Sequence, residues 1–222
     1  MTEAEWLADS DPQTMLQFLS DKPSDRKLRL FAVAVARRCS GDITDPALAE
    51  SVDVAELASD GTVGQDALLA AVRRVDSLVG TLFIRDSERP SWNATPVEIR
   101  APMHWAFIAT SSRHMHMSAL RDCLLYHYGW ASKLNRAHQP PVLREIFGNP
   151  FRSVALSPDW LTSTAVGLAS QMYESRDFGA MPTLADALQD AGCDIADVLD
   201  HCRGPGPHVR GCWVVDLVLA NE

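Results

Sequence analysis

Apolar side chains recur at three- and four-residue steps along most of this chain, the spacing that gathers them on one face of an α-helix. Thr2 ahead of Glu3 and Glu5 predicts a short capped helix ending near Ala8, with Trp6 and Leu7 apolar. Pro12 suits the first turn of a second helix whose buried face is Met15, Leu16, Phe18 and Leu19. Ser24 and Asp25 open a third, SDRKLRLFAVAVARRC, apolar on most sides through Leu28, Leu30, Phe31, Val33, Ala34 and Val35 and therefore expected at the centre of the core. Arg37 and Arg38 in its last turn fit the negative end of the helix dipole better than a phosphate site. A capped-proline start at Asp42 to Pro46 leads into a fourth helix closed by Gly61, and a fifth runs from about Gly64 to Phe83.

Arg85 to Glu98 carries two prolines and several polar turn formers, so residues 86–98 are expected to form a loop or hinge. Beyond Pro102 a helical pattern carries His104, Trp105, Phe107 and Ile108, then His114, Met115, His116, Met117, Leu120, Cys123 and Leu124. Pro140 and Pro141 should separate this part from a short helix in PVLREIFGNPF, broken at Gly148-Asn149-Pro150. Residues 159–175 and 182–191 predict two more helices. In the last stretch Asp194 reads as an N-cap for IADVLDHC, Gly204 ends that helix, and Gly204-Pro205-Gly206-Pro207 makes a stiff corner before a final helix from about His208. The fold class is all-α: nine or ten short-to-medium amphipathic helices in a compact orthogonal or repeat-like bundle. They form one domain over 1–222, or two halves, 1–85 and 99–222, hinged at 86–98.

Composition adds a location and a charge pattern. The chain has 222 residues and is 46% hydrophobic, enough for a sizeable core. Five cysteines, an odd number, together with a start that lacks a signal pattern, predict a reducing cytoplasm. No apolar run approaches the ~18 residues of a membrane span. The net charge of −9 is unevenly spread: −6 over 1–80, +4 over 81–153 and −7 over 154–222. The basic middle holds five of the seven histidines but no Arg/Lys cluster with interleaved aromatics, so it reads as packed beneath its acidic flanks, and a nucleic-acid partner is disfavoured.

Chemistry-bearing residues concentrate in Cys193 to Leu219. Cys193, His201, Cys202, His208 and Cys212 supply the donor types that zinc takes. Their spacing contains no CxxC or CxxxC pair, which favours a reading of the cysteines as small buried apolar residues and of the histidines as caps or corner linings. His114 and His116 stand two apart on a predicted helix and so point in different directions. GxSxG, P-loop, GxGxxG and HExxH motifs are absent. The nearest catalytic set is Cys212 or Cys202 with His201 or His208 and Asp200 or Asp216, and spacing alone supplies neither a base in reach nor a lowered thiol pKa. The leading expectation is a non-catalytic cytosolic module that binds another protein through short helices and an aromatic, methionine-rich middle (Met103, Trp105, Met115, Met117, Trp130). The alternative is a small metal- or thiol-dependent site at 193–212, with zinc as the cofactor.

Four blocks carry a resemblance: LREIFGNPFR at 143–152, DWLTSTAVGLASQMYESRDF at 159–178, LADALQDAGC at 184–193 and HCRGPGPHVRGCWVVDLVL at 201–219. They resemble the shared carboxy-terminal block of a family of uncharacterised bacterial proteins common in planctomycetes. The start MTEAEWLADSDPQTMLQFLSDKPSDRKLRLFAVA is similar to that family's usual opening. The resemblance brings no catalytic residues with it. The family's common form has leucine where this chain has Cys202, which argues against a zinc role for that residue.

Overall fold

The computed structural model describes residues 1–19, 24–39, 46–84 and 133–221. Its elements are α1 (Glu3–Ala8), α2 (Pro12–Leu19), α3 (Asp25–Cys39), α4 (Pro46–Ser59), α5 (Gln65–Ile84), α6 (Lys133–Phe147), a 3₁₀ turn (Pro158–Trp160), α7 (Ser163–Ser175), α8 (Met181–Asp190), α9 (Ala196–Arg203) and α10 (Trp213–Leu219). Among the described residues the regular structure is helical throughout, as the periodicity predicts. The proposed 86–98 hinge, the His114/His116 pair and the aromatic and methionine-rich middle lie outside the described residues.

The chain divides into two compact units, Met1 with Ala8–Pro140 and Thr2–Leu7 with Pro141–Glu222. In the first, α4 packs against both α3 and α5. Phe31, Ala32 and Ala36 of α3 and Val52 and Ala55 of α4 are fully buried, so α3 takes the central place its sequence predicts. Arg37 lies in the last turn of α3, as expected, and also bonds Asp53 and Glu56 of α4 at 2.6 and 3.3 Å, tying the two helices together.

In the second unit α8 packs on α7 and α9, and α10 on α7 and α9. Met172, Met181, Leu184, Leu188, Val198, Val214 and Val215 form its core, and Cys193, Cys202 and Cys212 are buried among them. The N-terminal helix belongs here. Thr2 and Glu5 make a reciprocal capping box, the Thr2 hydroxyl accepting from the Glu5 N–H and the Glu5 carboxylate from the Thr2 N–H. Trp6 is fully buried, and its indole N–H donates to the Gly148 carbonyl at 3.0 Å. Arg144 returns a bond to the Trp6 carbonyl, and Arg152 spans Glu3 and Asp197.

Four boundaries differ from expectation. Helix α6 runs straight through Pro140 and Pro141 instead of starting there; each proline removes a backbone donor from the ladder, and the two compact units part between them. The 159–175 segment breaks into a 3₁₀ turn and α7, because Thr162 caps α7 by accepting from the Ala165 N–H. Asp194 lies one residue before the N-cap position of α9, which Ile195 occupies. The last helix starts at Trp213, not His208, so His208 and Cys212 sit on the connection between α9 and α10.

Candidate metal centre

Four segments of the second unit meet at one point. Glu145 stands two residues before the end of α6, His201 in the last turn of α9, His208 on the corner that follows, and Cys212 at the N-cap of α10. One donor atom from each lies within 4.8 Å of all the others. The Glu145 Oε2 to His201 Nε2 and Glu145 Oε1 to His208 Nδ1 separations are both 3.3 Å, and His201 Nε2 lies 3.2 Å from Cys212 Sγ. Three of the five residues singled out from sequence therefore converge: His201, His208 and Cys212. Cys193 and Cys202 do not join them but pack in the apolar core.

The acid that completes the group is Glu145, not Asp200 or Asp216. Spacing along 193–212 had no access to it, since it lies 63 residues before His208. One signal was present: Glu145 is the single acidic residue between Asp122 and Asp159.

The backbone around the cluster aims its side chains. Gly206 has φ +78°, and a Cβ there would come within 2.6 Å of the His208 backbone nitrogen, so the corner closes onto His208 only with glycine at this position. Gly148, at φ +62°, ends α6 with the Trp213 ring 3.1 Å from where its Cβ would be. His208 Nε2 lies 3.3 Å from the Gly204 carbonyl, which accepts when that nitrogen carries the proton and leaves Nδ1 turned to the cluster. The Val209 N–H donates to Glu145 Oε1 at 3.4 Å.

Electrostatically the group is shut in and interdependent. Burial would raise the Glu145 pKa, but hydrogen bonds from His201 and His208, and their charge, bring it down to about 2. Burial lowers that of His208, and the hydrogen bond and charge of Glu145 together with the Gly204 carbonyl outweigh it, leaving it raised. Burial, with the Glu145 charge second, pushes the Cys212 thiol well above its usual value. Cys202 is pushed up to about 12 by burial first and then by Glu145.

Comparison with protein-family models, curated proteins and solved structures found no match.

Proposed function

We propose that this protein is a non-catalytic helical module that works by binding another protein, and that its Glu/His/His/Cys group holds the second unit together rather than attacking a substrate. The enclosure of that group carries the non-catalytic part of this reading: Cys212 is 0% and Glu145 3% exposed. A nucleophilic cysteine needs a lowered thiol pKa and access to its target, and Cys212 has a raised one with no exposed surface. Glu145, the only carboxylate of the group, is engaged by both imidazoles and by the Val209 N–H. No helix among the described residues is long and apolar enough to cross a membrane.

Thiol labelling of the native protein, mapped by peptide mass spectrometry, tests the proposal. Cys193, Cys202 and Cys212 are expected to stay unlabelled until denaturant is added; fast native labelling of Cys212 would contradict it.

A further inference from the structure

We propose that Glu145, His201, His208 and Cys212 form a binding site for one zinc(II)-class ion, held by four protein ligands in a structural role. The inference deepens the enclosed, non-catalytic reading of this group and rests on it.

Distances decide between an ion and a set of hydrogen bonds. Charge-assisted hydrogen bonds close to about 2.7–2.9 Å, whereas the polar contacts here are uniformly long, at 3.2, 3.3, 3.3 and 3.4 Å. Zinc at about 2.0–2.1 Å from nitrogen or oxygen and about 2.3 Å from sulfur sets ligand-to-ligand edges of about 3.3–3.6 Å in a tetrahedron. The His201 Nε2–Cys212 Sγ pair at 3.2 Å and one Glu145–histidine pair at 3.3 Å therefore stand within a few tenths of an ångström of those edges, and the four donor atoms, all within 4.8 Å of one another, close onto an ion by side-chain adjustment.

The donors also name the metal. One thiolate, two imidazoles and one carboxylate make a mixed soft and hard set that suits zinc, whereas calcium and magnesium take oxygen shells. A thiolate and a carboxylate carry two negative charges, so a dication leaves the buried site neutral, with no unpaired charge away from water. Binding breaks the Cys212 S–H bond and forms an S–Zn bond, the proton leaving to solvent. The imidazoles bind neutral, and the Gly204 carbonyl keeps the His208 proton on Nε2 so that Nδ1 faces the ion. Four protein ligands close the shell and leave no position for a reacting water, which marks a structural ion rather than a hydrolytic one.

The test uses the full chain, stripped with a chelator and titrated with cobalt(II), whose spectrum reports both geometry and sulfur ligation. Expected are one zinc per chain in protein purified from zinc-supplemented cells, one cobalt per chain after exchange, intense visible bands of a four-coordinate ion and one near-ultraviolet thiolate-to-cobalt band. Cys212→Ser should abolish the near-ultraviolet band and weaken cobalt binding about a hundredfold or more. His201→Gln, on a half-buried side chain, should keep that band while losing affinity, and Cys202→Leu should change neither; circular dichroism checks each fold. Absence of a stoichiometric ion, a pale six-coordinate spectrum, or a sulfur band that survives Cys212→Ser would overturn the site. The two readings fail separately. No metal with silent thiols removes the ion and leaves the enclosed module, whereas a bound ion whose spectrum shifts on adding small anions reveals an open position and overturns the closed, structural assignment together with the non-catalytic reading.

Discussion

Glu145 sits on α6 among Val142, Leu143 and Ile146, all fully buried, a place where an unpaired carboxylate would cost several kcal/mol. Two imidazoles remove that cost, and the consequence is a pH dependence. In the metal-free protein the folded Glu145 pKa of about 2 lies below its ordinary 4.5. Its contribution is therefore complete above about 4.5 and is lost as pH falls toward 2, an effect on the order of 3 kcal/mol. His208 has the opposite sign: its raised value adds stability that is complete below about 6.5 and is lost as pH climbs through the folded pKa. Urea unfolding of the metal-free protein should show greatest stability between those limits. Glu145→Gln should cost about 3 kcal/mol and flatten the acid limb; an unchanged acid limb would show that the carboxylate is not held as described. The histidines and cysteine of this group were legible as donor types, but their company was not. Spacing counts positions along the chain, and the residue that binds them into one group arrives from a different helix.

At the scale of elements, the connection from α9 to α10 does what a helix would not allow. A final helix from His208 would have placed His208 and Cys212 four residues apart on one helical face, with the backbone hydrogen-bonded along the axis. Instead the corner turns at Gly206, and α10 starts only after Cys212, so both side chains reach the end of α6. The prolines and glycines announced a corner; its extent through Gly211 was hidden, because Val209 and Cys212 keep the apolar rhythm of the following helix. Gly206→Ala puts a side chain at φ +78° and 2.6 Å from the His208 backbone nitrogen. It should destabilise the protein by about 1–3 kcal/mol and weaken metal retention against a chelator. Gly167→Ala serves as the control, since nothing lies within 4 Å of its Cβ position. Equal behaviour of the two variants would contradict the account of the corner.

Across the whole molecule, the first helix and the last eighty residues form one unit, joined by a chain that builds another in between. The capped start and the apolar Trp6 could be read from the first residues, but not that the indole meets a carbonyl 142 positions away. Periodicity reports which face is buried and is silent on what buries it, which is why the helix inventory was legible and this pairing was not. Trp6 and Trp213 both brace Gly148, three residues beyond Glu145. Trp6→Ala should therefore loosen the second unit by about 3–5 kcal/mol, and Trp6→Phe, which leaves the Gly148 carbonyl without its donor, by about 1–3 kcal/mol. Cys212 labelling in mild denaturant reports this unit: both variants should label faster than the parent, and unchanged labelling would contradict the shared unit.

X-ray absorption at the zinc edge of the purified protein tests the central claim most directly. The account predicts a shell of three nitrogen or oxygen neighbours at about 2.0–2.1 Å and one sulfur at about 2.3 Å, with imidazole scattering beyond it. A shell without sulfur, or six light neighbours, would contradict it.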